Sequence, residues 1–106
     1  MDVNDRIKEQ IEGNRVLLYM KGTPDFPQCG FSGQIATALK YVGKPFAYVN
    51  ILEDPELREG LKVYSNWPTF PQLYVDGELV GGCDIVVEMY HSGELQELLN
   101  ETEAQA

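Results

Sequence analysis

The segment from residue 21 to residue 32 contains the residues of this chain best suited to chemistry. It reads KGTPDFPQCGFS, so Cys29 follows a proline-rich loop and Ser32 stands where a C-x-x-C redox motif would have a second cysteine. Cysteine reacts and binds metals as the thiolate, which the free N–H groups and positive dipole end of a helix N-terminus stabilise. We therefore expect a reactive thiol at Cys29 without a resolving partner, the alternative being a small buried hydrophobe.

The size and charge of the chain limit its possible functions. Its 106 residues, 43% of them hydrophobic, fit a single domain over residues 1–106, with a polar tail at 101–106 that is expected to be frayed. The net charge of -9 opposes binding to a phosphate backbone, so nucleic acid is not an expected partner. No apolar run reaches the roughly 20 residues that span a bilayer, and no secretory signal is evident. We expect a cytoplasmic protein with no membrane partner, although a processed organellar protein would look the same.

Short elements with clear end signals are predicted to position Cys29. Residues 2–13 have helical apolar spacing, residues 16–20 form a continuous apolar run typical of a buried strand, and residues 29–42 have a helical pattern. A second strand follows at 46–51. Strand, helix and strand with short connections predict a parallel pair with a right-handed crossover. Cys29 would then lie at the carboxyl end of a parallel strand, where open α/β sheets bind ligands.

The second half of the chain predicts a helix, a hairpin and a last helix. Asp54-Pro55 is an N-cap followed by proline at the first helical position, with an apolar face that includes Tyr64. Two strand-like runs flank Asp76-Gly77, which is a strong signal for a two-residue hairpin. Asp84 is the candidate N-cap of the last helix. Its core candidates are Ile85, Val86, Met89, Tyr90, Leu95, Leu98 and Leu99. The order predicts an α/β, thioredoxin-like fold: a four-stranded mixed sheet flanked by helices on both faces.

Four motifs, in order and spacing, resemble a monothiol glutaredoxin of the CGFS type in its single-domain bacterial form. They are KGTP at 21–24, CGFS at 29–32, NWPTFPQL at 66–73 and DGELVGGCD at 76–84. The resemblance extends over almost the whole chain, to about Leu99. It implies a glutathione site and a 2Fe-2S cluster bridged between two subunits of a homodimer.

The resemblance also implies which residues hold the cofactors. Lys21 and Arg58 resemble the cations that meet the carboxylates of glutathione, although either residue alone would more often be a solvated surface charge. Cys29 resembles the thiol that joins the sulfur of glutathione or an iron of the cluster. Because glutathione carries two carboxylates, a chain with so few cations needs them locally at such a pocket.

Four further residues complete the glutathione site that the resemblance implies. Phe70 resembles the residue whose backbone pairs with the cysteinyl part of glutathione, and Pro71 resembles the cis-proline of the family. Cys83 and Asp84 resemble the pair that receives the γ-glutamyl end. Cys83 has two alternatives, a small buried residue or a disulfide partner of Cys29 under oxidation, and Asp84 has one, a plain N-cap.

Structural roles are predicted for the remaining conspicuous residues. His91, the only histidine, lies late in a helical segment and is expected to be a cation near a helix C-terminus. Trp67, Phe70 and Tyr74 are expected in the core or in a pocket wall.

The serine at position 32 leads to the functional prediction. A second cysteine would attack a mixed disulfide at Cys29 and release the bound thiol, and Ser32 cannot do this. A 2Fe-2S cluster usually needs four thiolates, which two chains and two glutathiones supply together. We therefore expect storage of the cluster and its transfer to iron-sulfur apo-proteins. The resemblance implies a BolA-type protein as a further partner.

The alternative is a glutathione-dependent thiol-disulfide oxidoreductase that removes glutathione from mixed disulfides, with external glutathione as the resolving thiol. Against it, the loop from Lys21 to Cys29 is longer than in dithiol relatives, and Gly30-Phe31 replaces the Pro-Tyr pair common in them. Any such enzyme activity is expected to be weak. A simple interaction module acting through its acidic surface would leave the pocket residues unexplained.

Overall fold

A four-stranded mixed sheet forms the centre of the fold. In the computed structural model, which describes residues 2–104, the strand order is β2-β1-β3-β4. Strand β1 pairs in parallel with β2 and antiparallel with β3, and β3 pairs antiparallel with β4. The strands are β1 (Val16–Met20), β2 (Ala47–Asn50), β3 (Gln72–Val75) and β4 (Glu78–Gly81). The predicted sheet and its parallel pair are confirmed.

Five α-helices cover the sheet. They are α1 (Val3–Gly13), α2 (Gly30–Val42), α3 (Pro55–Ser65), α4 (Cys83–Ser92) and α5 (Glu94–Ala104), with a short 3-10 helix at Ile51–Glu53. Helices α1 and α3 pack on one face, and α2 and α4 pack on the other, which confirms the layers predicted from the sequence. Residues 105 and 106, part of the tail expected to be frayed, lie outside the described residues. None of the described helices is long and apolar enough to cross a membrane.

Strand β1 contributes to both cores because side chains alternate along a strand. Leu18 and Met20 pack in the cluster beneath α2 and α4, and Leu17 and Tyr19 pack in the cluster beneath α1 and α3. Each fully buried side chain of this size stabilises the fold by about 1.5–3 kcal/mol. The strand that leads to the loop before Cys29 is therefore rigidly held on both faces.

The helix ends have the N-caps and the glycine stop that the sequence predicts. The Asp2 carboxylate accepts a hydrogen bond from the N–H of Asp5 at 2.9 Å, and the Asp54 carboxylate accepts one from Leu57 at 3.1 Å. Gly43 ends α2 in the left-handed conformation, with φ of 82°. These local signals fix where α1, α2 and α3 begin or end.

The last helical region differs from its prediction. Gly93, with φ of 87°, divides it into α4 and α5. The N-cap of α4 is Gly82, so the prediction of Asp84 as N-cap is wrong and Asp84 lies in the first turn. Ile85 is 40% exposed, and its assignment to the core is also wrong. Its side chain instead lies against Gly81, where an added Cβ would meet the Ile85 Cδ1 atom at 2.8 Å.

The second strand is shorter than predicted, and one helix presents an aromatic ring outward. The side chain of Asn50 accepts the N–H of Leu52 at 3.1 Å, which turns the chain into the 3-10 helix and makes Ile51 a buried helical residue. Tyr64, predicted on the apolar face of α3, is 37% exposed.

Candidate functional site

A cavity of about 570 Å³ lies where β1, α2, α3 and α4 meet the loop that precedes β3. Its lining residues are Lys21, Cys29, Phe31, Arg58, Lys62, Trp67, Pro68, Thr69, Phe70, Pro71, Gly82, Cys83, Asp84 and Ile85. Every residue that the sequence analysis assigned to the glutathione site therefore lines one cavity. Their binding roles stay predictions.

Cys29 is the N-cap residue of α2, and its extended backbone places the sulfur beside the free N–H groups of the first turn. It makes no capping hydrogen bond of ordinary geometry. The N–H of Ser32 nevertheless lowers the pKa of the Cys29 thiol, with smaller contributions from the N–H of Phe31 and the charge of Lys21. The position thus favours a thiolate, as the sequence predicted.

Ser32 is fully buried and has a structural contact that the sequence did not indicate. Its Oγ atom accepts a hydrogen bond from the backbone N–H of Lys21 at 3.1 Å. The carbonyl of Lys21 accepts the N–H of Gln28 at 2.9 Å. Residues on either side of Cys29 therefore hold the backbone of Lys21, which fixes the cation relative to the sulfur.

The loop between Lys21 and Cys29 is closed by backbone contacts. Gly22 forms an isolated β-bridge with Pro27, has φ of 91°, and donates its N–H to the Asn50 side chain at 2.9 Å. A Cβ atom at Gly22 would lie 2.6 Å from the backbone nitrogen of Gln28 and 2.6 Å from the carbonyl oxygen of Phe26. Only glycine fits this position.

The cavity carries positive charge on an acidic chain. Three cations, Lys21, Arg58 and Lys62, line it, and Asp84 is its only carboxylate among the lining residues. Lys62 was not predicted as a site residue; it lies one helical turn after Arg58 on α3, a spacing that places both on one face. Its Nζ atom pairs with the exposed Glu59 carboxylate at 3.0 Å.

Two buried donors in the cavity wall have no partner among the described residues. These are the Nε atom of Arg58 and the Nε1 atom of Trp67. Leaving a buried donor unsatisfied costs about 1–3 kcal/mol, so such groups are normally paired. Both atoms are enclosed by protein, so it is the surplus of cations along the cavity that indicates a ligand with several acceptor oxygens.

The second thiol of the cavity, that of Cys83, favours the protonated form, in contrast to Cys29. The Cys83 Sγ atom lies 3.2 Å from the Oε1 atom of Gln34, to which the thiol donates. Burial raises the pKa of Cys83, and the charges of Asp84 and Cys29 raise it further. Both cysteines are free thiols. Cys83 is therefore held as a protonated donor, while Cys29 favours the anion.

The loop before β3 forms the remaining wall. The Phe70-Pro71 bond is cis, in agreement with the expectation for Pro71. Phe70 and Tyr74 are buried in the core, and Trp67 and Phe70 line the cavity, which confirms the structural roles predicted for these rings. His91 lies in the last turn of α4, as predicted.

The donors of a single chain do not surround a metal ion. Within residues 2–104, no group of three or more histidine, cysteine, aspartate or glutamate side chains is arranged to hold one. A metal centre at Cys29 would need ligands from other molecules.

Comparison with known proteins agrees with this geometry. The glutaredoxin family model matches residues 16–80. Glutaredoxin 4 of Escherichia coli (strain K12) is 61% identical over 94% of this chain and 87% of its own length, and glutaredoxin 4 of Pasteurella multocida (strain Pm70) is 57% identical over 98% and 95%. The solution structure of reduced poplar apo GrxS14 superimposes with a TM-score of 0.82 at 54% identity, over 96% of this chain and 94% of that one. The chain thus belongs to the glutaredoxin family, as a member of its single-domain monothiol bacterial form.

Proposed function

We propose that this protein binds glutathione at Cys29 and, as a homodimer, carries a 2Fe-2S cluster that it stores and passes to apo-proteins. The observation that carries the proposal is the single activated thiol at the N-terminus of α2, set in a cationic cavity and accompanied by a serine instead of a resolving cysteine. Membership of the monothiol glutaredoxin family supports it.

The charges of the cavity match those of glutathione. The glycyl carboxylate faces the cations Arg58 and Lys62, which lie one helical turn apart on α3. Lys21 provides a cation beside the sulfur. A cavity of about 570 Å³ lies within the usual range of about 300–1,000 Å³ for small-molecule sites.

The γ-glutamyl end of glutathione has an ammonium and a carboxylate. In this proposal Asp84, in the first turn of α4, pairs with the ammonium, and the N-terminus of that helix receives the carboxylate. The backbone of Phe70 pairs with the cysteinyl residue between these two ends. The ligand then extends across the cavity with its sulfur toward Cys29.

The donor set fits a cluster that is only partly held by protein. A 2Fe-2S cluster usually takes four thiolates, and one chain offers a single thiol that favours the anion. Two copies of Cys29 and two bound glutathiones complete the set, and Cys83 does not contribute because its thiol donates to Gln34. Exchangeable ligands of this kind suit a carrier whose cargo is the cluster.

Thiol-disulfide exchange is the second candidate function, favoured by the lowered pKa and partial exposure of Cys29. The Cys29 thiolate attacks the glutathione sulfur of a mixed disulfide, the S–S bond breaks, and the substrate leaves as a thiolate. A second glutathione thiolate then attacks the Cys29 mixed disulfide, which yields oxidised glutathione and restores Cys29.

The cellular context of the proposal is a reducing compartment. Two unpaired cysteines suit the cytoplasm, where thiols stay reduced.

The partners are iron-sulfur apo-proteins and a BolA-type protein, and the exposed Phe26 and Phe31 rings near Cys29 offer apolar contact area for them. All 106 residues act as one glutaredoxin domain.

Anaerobic reconstitution with iron, sulfide and glutathione tests the carrier function. We expect the wild type to gain visible absorbance and to sediment as a dimer, and the Cys29→Ser variant to remain a colourless monomer. The Cys83→Ser variant should keep the colour. A colourless wild-type monomer would contradict the carrier proposal, and rapid glutathione-driven reduction of a small mixed disulfide by that protein would favour the enzyme instead.

A further inference from the structure

Gln72 is a fully buried polar residue outside the predicted site. It is the first residue of β3 and follows Pro71 directly. Its Nε2 atom donates to the carbonyl oxygens of Trp67 at 3.0 Å and Thr69 at 3.2 Å. Its Oε1 atom accepts the hydroxyl of Tyr74 at 3.2 Å. Both N–H groups and the oxygen of this amide therefore have partners inside the protein.

The partners fix the orientation of the amide. Carbonyl oxygens only accept, so the nitrogen of Gln72 must face Trp67 and Thr69. Burial raises the pKa of Tyr74 to about 12, so its hydroxyl keeps its proton near neutral pH and donates to the oxygen. The network is fully satisfied in only one arrangement, which is the condition under which a buried polar group specifies local structure.

The bond to Thr69 determines where the next backbone donor points. The C=O of Thr69 and the N–H of Phe70 belong to one planar peptide unit, which is trans, and in such a unit these two groups point in opposite directions. Because Gln72 holds the Thr69 oxygen in the interior, the Phe70 N–H is turned away from Gln72. Thr69 and Phe70 both line the cavity.

We propose that Gln72 is a positioning residue: its buried amide aims the Phe70 N–H into the cavity, where it binds the backbone carbonyl of an extended, peptide-like ligand. The inference rests on the proposed function, in which that carbonyl belongs to the cysteinyl residue of glutathione. Gln72 itself does not touch the ligand. Without its two donors the Thr69–Phe70 peptide unit loses the contact that sets its rotation.

The test compares Gln72→Met with Tyr74→Phe. Methionine has similar length and no donor, whereas Tyr74→Phe removes one partner of Gln72 and leaves both bonds to the loop. Selective labelling with ¹⁵N-phenylalanine gives four amide signals, from Phe26, Phe31, Phe46 and Phe70. Glutathione titration followed by these signals reports affinity and the state of the Phe70 donor together.

We expect Gln72→Met to weaken glutathione binding about tenfold, the effect of about 1.4 kcal/mol, and to reduce the shift of the Phe70 signal on binding. Tyr74→Phe should change the affinity less than about twofold. In the ligand-free protein, the Phe70 signal should move in Gln72→Met and the Phe46 signal should not. Circular dichroism of each variant establishes that it is folded.

Other outcomes separate the two proposals. A folded Gln72→Met variant with wild-type affinity and an unchanged Phe70 signal would overturn the role of Gln72. A wild type that does not bind glutathione would overturn the proposed function, and the ligand-free Phe70 signal would still show whether Gln72 sets the surroundings of that donor. Gln72→Leu provides a second variant, which lacks the donors and is buried without a polar group. Loss of the fold in both Gln72 variants would show a purely structural residue and would also overturn the inference.

Discussion

The two thiols of the cavity differ because their surroundings stabilise different protonation states. At Cys29 the N–H of Ser32 and the first turn of α2 favour the thiolate. At Cys83 burial favours the neutral thiol, and the charge of Asp84 adds to that effect. Both cysteines stand at a helix N-terminus, but backbone N–H groups lower the pKa only at Cys29, whereas burial raises the pKa at Cys83.

Alkylation should therefore separate the two cysteines by pH. We expect iodoacetamide to modify Cys29 at pH values below those needed for Cys83, because the thiolate reacts and its pKa at Cys29 lies below the ordinary thiol value. Peptide mass spectrometry after brief reaction at pH values between about 6 and about 9 measures both rates. In the Cys29→Ser variant the modification at low pH should disappear. Coincident pH profiles for the two cysteines would contradict the prediction.

Lys62 should contribute to ligand binding although sequence reasoning did not select it. We expect Lys62→Gln to weaken glutathione binding about threefold to tenfold, because one of the three cations that line the cavity is lost. Isothermal titration calorimetry measures the change. Lys8→Gln is the matched control, since Lys8 is an exposed lysine on α1 outside the cavity lining.

A second ligand tests whether Lys62 acts at the glycyl end of glutathione. The dipeptide γ-glutamylcysteine lacks the glycyl residue, so its affinity should change less than that of glutathione in Lys62→Gln. Equal losses for both ligands would mean that Lys62 acts through the overall charge of the cavity and not at the glycyl carboxylate.

At the scale of elements, the loop between β1 and α2 sets the distance between cation and sulfur. It is held by the Ser32 hydroxyl, by the Gln28 N–H and by the unusual backbone of Gly22. Gly22 and Gly43 both have positive φ, but an added Cβ at Gly43 meets no atom within 4 Å. The pair therefore separates backbone strain from steric contact.

We expect Gly22→Ala to lower the free energy of unfolding by about 3 kcal/mol and to weaken glutathione binding, because its Cβ would collide with the backbone of Phe26 and Gln28. Gly43→Ala should cost only about 1 kcal/mol, the strain of a left-handed alanine, and should leave binding unchanged. Urea unfolding and calorimetry measure the two effects. Similar losses of stability in both variants would show that strain alone decides the outcome.

Local signals made most elements predictable from the sequence. The apolar run of β1, the Asp2 and Asp54 caps and the Asp76-Gly77 turn act within a few residues, and all occur in the structure. The division at Gly93 was missed because the apolar spacing of α4 continues into α5, where Leu95 and Leu99 return to the same core. Periodicity does not distinguish one bent helix from two.

The site was predictable only where the family resemblance assigns its residues. The resemblance assigned Lys21, Cys29 and Arg58, and the cavity contains them. The bond between Ser32 and Lys21 was not predictable, since it depends on how a helix docks against a strand. Lys62 was missed although its four-residue spacing from Arg58 was an available signal. Gln72 was missed because a buried amide inside a strand gives no signal in the sequence.

At the scale of the whole molecule, charge is separated between the cavity and the rest of the chain. The sequence carries 17 acidic residues against 8 lysines and arginines, yet three of those cations line the cavity. Other cations form bridges elsewhere: Arg6 connects α1 to the Asp54 and Glu56 carboxylates at the start of α3. The acidic surface repels a second copy while the cavity attracts an anionic ligand.

Rising salt should therefore stabilise the cluster-bridged dimer and weaken the binding of glutathione. We expect the cluster-bridged dimer to become more stable as salt rises from about 0.01 M to about 0.15 M, because the screening length falls from about 30 Å to about 8 Å and the repulsion between two chains of charge -9 weakens. Glutathione binding to the monomer should weaken over the same range, since its ion pairs are screened. Anaerobic sedimentation of the reconstituted protein, at glutathione concentrations that saturate the site at both salt levels, isolates the first effect. A dimer that dissociates as salt rises would contradict the prediction and would indicate attractive ion pairs between the subunits.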